Sequence, residues 1–197
     1  TELNKDYVFP FATVNANYNI SKSSSFYMQY NYEVDFPQAF QIMPVLNLAN
    51  PLNTIIGNEN LDLIENHNFY LSFRDFDYAT RSGYMFYGGG NYYSNQVVSF
   101  VEYDVNRKAT TTYKNVEGTY NSWFGGRWNK SIKKEANNYK FGFGLWGGYD
   151  LSKGFTQGEM FEANALRLTP SVNFTYEYGE LFTINPTYNF TYNETKY

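Results

Sequence analysis

The sequence predicts an all-β fold, an antiparallel up-and-down sheet of about eight strands of the kind that forms the wall of a transmembrane β-barrel. Three observations predict it. Apolar and polar residues alternate with period two through most of the chain, the pattern of strands with one apolar and one polar face. The alternating runs are about 10 to 13 residues long, beyond the 5 or 6 usual in globular sheets and close to the roughly 9 to 11 that cross a bilayer at a tilt. The connections alternate between short and long, which gathers the long ones at one end of the sheet.

Composition agrees with interleaved strands. Aromatic residues make up 21% of the chain (21 Tyr, 18 Phe and 3 Trp), yet the mean hydropathy is -0.55, so apolar residues are dispersed among polar ones. No run approaches the ~18 consecutive apolar residues of a spanning helix, and the segment TELNKDYVFP lacks the basic and apolar regions of a secretory signal. A barrel strand needs neither, because only every second residue faces lipid. The length, 197 residues, suits one β-barrel region over 1–197. With a net charge of -4 and basic residues scattered apart from Lys133 and Lys134, nucleic acid is not an expected partner. The absence of cysteine excludes disulfides and thiolate metal sites, and the single histidine, His67, cannot build a zinc cluster. No metal and no cofactor is expected.

The elements follow in order. Over 8–20, Val8, Pro10, Ala12, Val14, Ala16, Tyr18 and Ile20 alternate with Thr13, Asn15, Asn17 and Asn19, predicting a first strand. After a turn at 21–24, a second strand over 25–35 sets Phe26, Met28, Tyr30, Tyr32 and Val34 against Ser25, Gln29, Asn31, Glu33 and Asp35, so the pair makes a hairpin. A long turn-rich insertion leads to a third strand, where His67, Phe69, Leu71 and Phe73 alternate with Asn66, Asn68, Ser72 and Arg74. Residues 75–82 read as its turn. The next strand, 83–101, has aromatics on both faces and a triple glycine at 88–90, so the facing of 83–119 stays unassigned. A loop is expected at 102–109, then a fifth strand over 110–129 whose parity changes near Gly118, the signature of a β-bulge. Beyond that point Tyr120, Phe124 and Trp128 share a face. Residues 130–138 read as a polar turn.

In the sixth strand, 139–149, Tyr139, Phe141, Phe143, Leu145 and Tyr149 alternate with Lys140, Gly142, Gly144 and Gly148, and the small residues on the polar face leave room inside a barrel. A second long loop is expected at 151–163. In the last two strands Leu166, Leu168, Val172, Phe174 and Tyr176 oppose Arg167, Thr169, Ser171, Asn173 and Thr175, and Phe182, Ile184, Tyr188, Phe190 and Tyr192 oppose Thr183, Asn185, Thr187, Asn189 and Thr191. A short turn at 177–180 joins them. Tyr7, Tyr18, Tyr32, Tyr149, Tyr176 and Tyr192 stand near strand ends, where interfacial girdles form, although soluble strands also end in tyrosine.

Two segments carry a resemblance. Asn50, Pro51, Leu52 and Asn53, then Gly57, Asn58, Glu59, Asn60 and Leu61, then Glu65 and Asn66 before an aromatic strand, resemble the NP-L-N…GNPNLKPE-x-x-N pattern of the β-barrel domain of Bacteroidetes TonB-dependent outer-membrane receptors. The later TTTYKNVEG, residues 110–118, is similar to the strand that follows in that family. The chain departs from the pattern at Glu59, where the family has proline, and at Asp62, Leu63 and Ile64, where it has Lys-Pro. The resemblance implies a bacterial outer-membrane location, a barrel of about 22 strands of which this chain is an internal piece, and nutrient import. It also implies as partners the TonB system, a plug domain that this chain does not contain, and a surface lipoprotein.

The candidate sites divide by position. The apolar start of the insertion has no strand pattern to explain its hydrophobes, so Phe40, Ile42, Met43 and Leu46 are candidate ligand-binding residues. The loops 36–66, 102–109 and 151–163 are the candidate outer surfaces. Glu33, Asp35, Arg74, Lys140 and Arg167 fall on polar strand faces, hence toward the lumen of a barrel, where structural ion pairs or plug contacts compete with solute contact as their role. Asp75 and Asp77 lack the further ligands of a calcium loop, and His67 reads as a hydrogen-bonded strand-end residue. N-x-[ST] triplets such as those at Asn173 and Asn189 follow from Asn and Thr alternating on one face. No nucleophile motif, phosphate loop or carboxylate pair stands out, which argues against an enzyme.

Three readings stay open at this point: a segment of a transport barrel, a self-contained barrel of about eight strands with a structural or adhesive role, and a soluble β-sandwich that binds carbohydrate. The membrane readings predict extraction only with detergent and a folded band that migrates differently from the boiled one in gel electrophoresis. Release into plain buffer, with mobility indifferent to boiling, would leave the sandwich.

Overall fold

The computed structural model of the protein describes residues 8–197. Its strands are β1 (Ala12–Asn19), β2 (Ser24–Asp35), β3 (Asn47–Asn50), β4 (Asn53–Ile55), β5 (Ile64–Asp77), β6 (Ser82–Tyr103), β7 (Ala109–Val116), β8 (Thr119–Lys134), β9 (Asn137–Thr156), β10 (Glu159–Tyr178), β11 (Phe182–Ile184), β12 (Thr187–Asn189) and β13 (Tyr192–Lys196), with one helical turn, α1 (Ala39–Ile42). The main sheet runs β1-β2-β5-β6-β8-β9-β10, and β11, β12 and β13 lie in succession along β10. Those three pieces act as one interrupted eighth strand, so the expected eight antiparallel crossings are present. The gap before β12 holds Pro186, which has no N–H to give a ladder, as suits an edge strand. Among the described residues β1 pairs only with β2, and β11–β13 only with β10, so the sheet is an open arc.

The two ends differ as expected. Turns at 20–23, 78–81, 135–136 and 179–181 close one end. At 78–81 the strand-end Asp77 closes the turn, its carboxylate accepting the Ala79 N–H at 2.8 Å and the Thr80 hydroxyl at 2.9 Å. These bonds, the Thr80 hydroxyl first, hold the Asp77 carboxyl below its ordinary pKa. The other end carries the insertion 36–63 and the tips of two long hairpins at 104–108 and 157–158.

Several boundaries are corrected. The loop expected over 151–163 is strand: β9 and β10 stay paired from Leu151↔Asn164 to Thr156↔Glu159, and only Gln157 and Gly158, both at positive φ (53° and 82°), make the turn. This stretch projects past the apolar band, where neither face is imposed and alternation fades. The loop at 102–109 narrows to 104–108, with Asp104 accepting the N–H groups of Asn106 and Lys108 at 2.8 Å each. The turn at 130–138 narrows to Glu135 and Ala136, and that at 75–82 to 78–81. The fifth strand is two, β7 and β8, broken at Glu117 and Gly118. Both pair with β6 in one register, Gln96↔Val116 and Tyr93↔Thr119, so the break adds no residue. Gly118 takes φ 71° and donates its N–H to the Tyr93 carbonyl at 3.0 Å. The bulge sits on the other flank of β6, between Glu65↔Asn95 and Asn66↔Tyr93, with Ser94 as the extra residue bonded to Glu65 at 2.8 Å.

One face is apolar across all eight crossings. A typical row reads Val14, Tyr30, Phe69 on β1, β2 and β5, and another Phe143, Val172, Tyr188 on β9, β10 and β12. Val14 is 52% exposed, Phe143 47% and Val172 52%, and no second sheet covers them among the described residues. A soluble sandwich would bury this face, whereas lipid solvates it. Tyr32, Tyr92, Tyr120 and Tyr149 bound the band at the loop end, with Tyr120 and Tyr149 stacked at 5.8 Å. Tyr84, Trp128, Tyr139 and Tyr176 bound it at the turn end, with Tyr139 and Tyr176 stacked at 5.1 Å. From Tyr139 to Tyr149 the strand rises about 33 Å, or about 25 Å once tilted by roughly 40°, the height of a barrel's apolar band. Tyr18, opposite Phe26, joins the turn-end ring, and Tyr192, opposite Leu168, lies one row inside the loop-end ring. Tyr7 lies outside the described residues. His67 sits in the loop-end ring between Tyr32 (4.9 Å) and Tyr92 (5.9 Å), with its Nδ1 hydrogen-bonded to the Tyr30 hydroxyl at 2.8 Å.

On the opposite face large rings cover glycines of the next strand. A Cβ at Gly125 would clash with the hydroxyl end of the Tyr87 ring, and one at Gly89 would come within 2.9 Å of the Trp123 indole. Gly125→Val therefore displaces Tyr87 and should cost about 1–3 kcal/mol, as overpacking does. Thermal unfolding in detergent reads this, and adding Tyr87→Ala should recover part of the loss.

Candidate functional site

Two surfaces are built from these elements, one at the loop end and one along the polar face. At the loop end β7 would expose an unpaired edge, since β8, not β7, runs beside β9. The insertion covers it. β3 and β4 form a small hairpin, and β4 pairs in parallel with β7, Asn53↔Ala109 to Ile55↔Thr111. The asparagines of the insertion fix this arrangement. The Asn50 side chain accepts the Leu52 N–H at 3.0 Å, Asn53 accepts the Thr111 hydroxyl at 2.9 Å, and Asn58 donates to the Tyr113 carbonyl at 2.9 Å. Asn115 accepts the Asp62 N–H at 3.0 Å. Beneath them Leu61, Phe100, Tyr113 and Val116 are buried, the apolar core of the described residues. Gly57 passes so close to the Met43 backbone that a side chain there has no room.

Against this base the start of the insertion leaves a cleft of about 360 Å³, walled by Phe40, Met43, Val45, Asn47, Ile55 and Tyr113. Phe40 meets Tyr113 edge to face at 5.9 Å. Of the four expected ligand-binding residues, Phe40 and Met43 line the cleft, while Ile42, in the same helical turn, and the exposed Leu46 stand outside its walls. Sequence reading missed Tyr113 and Ile55, which sit in strand patterns and reach the cleft only through the β4–β7 pairing. Beside it, Lys114 Nζ lies 3.4 Å above the Phe100 ring. A second hollow, of about 650 Å³, opens between the hairpin tips at Glu102, Tyr103, Arg107 and Gln157.

The polar face is stratified. Glu33 and Asp35 lie nearest the loop end, opposite Asn66 and Ile64. Next comes a row of amides, Asn31, Asn68, Asn91 and Asn121, in which Asn68 donates to Asn91 at 2.9 Å and Asn91 to Asn121 at 3.1 Å. Two rows of rings follow. Tyr70, Gly89, Trp123, Gly148 and Arg167 succeed one another across five strands, and Ser72, Tyr87, Gly125, Trp146 and Thr169 lie one row below. Ring centroids stand 5.9 Å apart for Tyr27 and Tyr70, 5.7 Å for Tyr70 and Trp123, and 6.1 Å for Tyr87 and Trp123. Under them lie Arg74, Met85 and Arg127 in one row.

The five expected charges thus share the polar face, but not one site. Lys140 forms an ion pair with Glu177, whose second oxygen accepts from Asn138 at 2.6 Å. Arg167 stacks over Trp146 at 5.3 Å, and Arg74 donates to the Tyr78 hydroxyl at 3.2 Å. Sequence reading missed Tyr27, Tyr70, Tyr87, Trp123 and Trp146. Their signal is an aromatic on the polar phase of a strand, which becomes readable only when the register shows a glycine or serine beside it. A groove of about 580 Å³ runs along this face between Tyr87, Arg127, Trp146 and the hydroxyl and amide side chains of β10 and β12.

The family model described as "Outer membrane protein beta-barrel family" matches residues 1–136. That span takes in β1 to β8 and the whole insertion. No curated protein and no solved structure matches the chain.

Asn58→Ala removes one of the bonds that tie the insertion to β7 and should cost about 1–2 kcal/mol locally. Limited proteolysis of the folded protein in detergent should then cut within 36–63 faster than in the wild type, with the thermal midpoint of the sheet unchanged.

Proposed function

The chain belongs to the outer membrane protein β-barrel family, and from that premise we propose that it forms part of the wall and the extracellular loops of a TonB-dependent receptor, of the Bacteroidetes type, that imports a nutrient. It resides in the bacterial outer membrane, with its apolar face against lipid. The observation that carries the transporter reading is the open arc: eight crossings whose first and last strands do not meet among the described residues. An eight-stranded barrel has an interior just wide enough for side chains to fill. Here the polar face holds Trp123, Trp146, Tyr70, Tyr87, Arg74 and Arg127, a load suited to a wider lumen.

In this reading the short turns face the periplasm and the insertion and hairpin tips face outward. A plug domain supplied by the rest of the receptor occupies the lumen, TonB draws on it, and a surface lipoprotein meets the outer loops. The wall is a scaffold without catalysis, and the loops, with the Phe40–Tyr113 cleft among them, first meet the solute. The covering of β7 by the insertion supports this, because it fixes the outer loops on the wall instead of leaving them free.

Two measurements test the reading. The chain has no cysteine, so Asn15→Cys on β1 can be paired in turn with Asn185→Cys, Thr187→Cys and Asn189→Cys near β12. A self-contained eight-stranded barrel brings these edges within disulfide reach, about 5–6 Å between Cα atoms, and cross-links at one of the three. A larger barrel leaves all three reduced, which is the expected result. In cells, uptake of glycan, peptide, siderophore and cobalamin probes by the full-length protein should include one probe whose accumulation falls to background when TonB is deleted. Accumulation of every probe at the same level with and without TonB would defeat the proposal.

A further inference from the structure

The strand lysines at the two ends of the sheet differ in their surroundings. At the loop end each is engaged by the protein: Lys114 lies over the Phe100 ring, Lys153 pairs with Glu162 at 3.1 Å and Lys196 with Glu194 at 3.0 Å. At the turn end Lys140 pairs with Glu177 on the polar face. Two lysines on the other face break this pattern. Lys130 lies opposite Phe141 and Lys134 opposite Asn137, on the phase of β8 that turns Phe124 and Trp128 toward lipid. Both are exposed, and among the described residues neither forms an ion pair. The carboxylates of this end are committed elsewhere. Asp75 accepts from the Ser23 hydroxyl at 3.2 Å and the Tyr84 hydroxyl at 3.5 Å, Asp77 closes its own turn, and Glu177 holds Lys140 and Asn138. Glu135, next to Lys134 in the turn, and Glu180, in the following turn, pair with neither lysine.

We propose that Lys130, Lys134 and Tyr139 form a site for the headgroup phosphate of an anionic glycerophospholipid in the leaflet at the turn end. The assignment goes beyond the transporter reading and does not depend on it, since it needs only lipid against the apolar face. Register builds the site. Ile132 stands between the two lysines on β8, and Tyr139 lies opposite Ile132 on β9, so a phenol flanks the midpoint of the pair. Stacking on Tyr176 at 5.1 Å holds the Tyr139 ring in place. Four residues of strand separate Lys130 from Lys134, about 13 Å between Cα atoms, a gap that two flexible four-carbon stems close over Ile132. Both ammonium groups then donate charge-assisted bonds to one phosphate, and the Tyr139 hydroxyl donates a third.

The surroundings select a lipid. Ile132, Trp128, Phe141 and Phe143 are exposed side chains on the same face, and they continue from the lysines up the wall, where acyl chains of the bound molecule lie. The lysine stems cover apolar surface while their charged heads stay at the level of the headgroups. A free phosphate or a nucleotide would use the cations and leave the apolar strip above them unused. A zwitterionic lipid fits less well, because its headgroup brings a cation that the two lysines repel. The loop end offers no equivalent, since the carboxylates of Glu162 and Glu194 already neutralise Lys153 and Lys196.

The test uses native mass spectrometry of the full-length protein in detergent, titrated with dioleoylphosphatidylglycerol and, separately, with dioleoylphosphatidylcholine. Each variant is first shown to keep its heat-modifiable folded band. The wild type should retain the anionic lipid in preference to the zwitterionic one, and the double variant Lys130→Gln, Lys134→Gln should lose about tenfold of that preference. Lys130→Arg with Lys134→Arg should keep it, as should the loop-end control Lys153→Gln with Lys196→Gln. Tyr139→Phe should weaken retention of the anionic lipid and leave that of the zwitterionic lipid unchanged. Equal retention of the two lipids by the wild type, or an undiminished preference in the folded glutamine double variant, overturns the site. Glycerol 3-phosphate, which carries the phosphate without acyl chains, should not displace the lipid; displacement by it would show a site for phosphate as such and overturn the lipid assignment.

Discussion

The hydrocarbon of a bilayer offers no partner for a backbone N–H or C=O, and that lack governs this molecule. Each unpaired group there costs several kcal/mol, so a chain that crosses in strands must hand every one of them to a neighbour. The ladders of β2, β5, β6, β8, β9 and β10 do this without interruption through the apolar band. Along these strands irregularity is confined to its margins, while the eighth crossing is broken within the band at 185–186 and 190–191. The break at Glu117 and Gly118 and the bulge at Ser94 lie beside the loop-end ring of tyrosines, not between the two rings. Among the described residues the outer edges of β1 and of β11–β13 carry no ladder, and by the same rule such an edge is costly if left bare in lipid.

With the backbone committed to ladders, side chains alone distinguish the faces, and the two faces solve opposite problems. Toward lipid, bulk is welcome and rows of Phe, Tyr, Val and Leu stand outward. Toward the lumen, rings are kept low by glycine on the neighbouring strand, as at Gly89 and Gly125. The triple glycine at 88–90 serves both faces: Gly89 makes room for Trp123 on one, while Gly88 and Gly90 lie opposite Phe124 and Ser122 on the other. This is why the facing of that strand could not be assigned from sequence, for a glycine carries no face of its own.

Legibility in the sequence followed the same physics. Where one face meets lipid and the other water, as in β1, β2, β5 and the lower halves of β9 and β10, alternation is enforced and the strands were readable, with the two-ended arrangement of connections. Beyond the apolar band the enforcement ends. Residues 151–163 therefore looked like loop although they continue a hairpin, and β7 and β8 looked like one bulged strand. The candidate site was half legible. Phe40 and Met43 stood out as hydrophobes without a pattern, but Tyr113 and Ile55 were hidden in patterned segments, and the ring rows of the polar face needed cross-strand register to be seen at all.

The two segments that carry the family resemblance also acquire a shared purpose. Asn50–Asn53 and Gly57–Leu61 lie about fifty residues before the TTTY strand, and nothing in their sequences says that they meet. In the fold they are one unit: β4 pairs with β7, Asn53 bonds Thr111, Asn58 bonds the Tyr113 carbonyl, and Leu61 is buried in the core that Tyr113 and Val116 complete. Asparagine suits both jobs, since its amide shapes a turn within the insertion and then spans to the next strand. The departure at Glu59 fits this division. Asn50, Asn53, Gly57, Asn58 and Leu61 make the contacts and match, whereas Glu59 departs at a tight turn in which Asn60 donates its N–H to the Asn58 side chain at 3.0 Å and Leu61 its N–H to the Asn58 carbonyl at 3.3 Å. The insertion is best understood as a clasp that closes the exposed edge of β7 and, in doing so, fixes the position of the cleft above it.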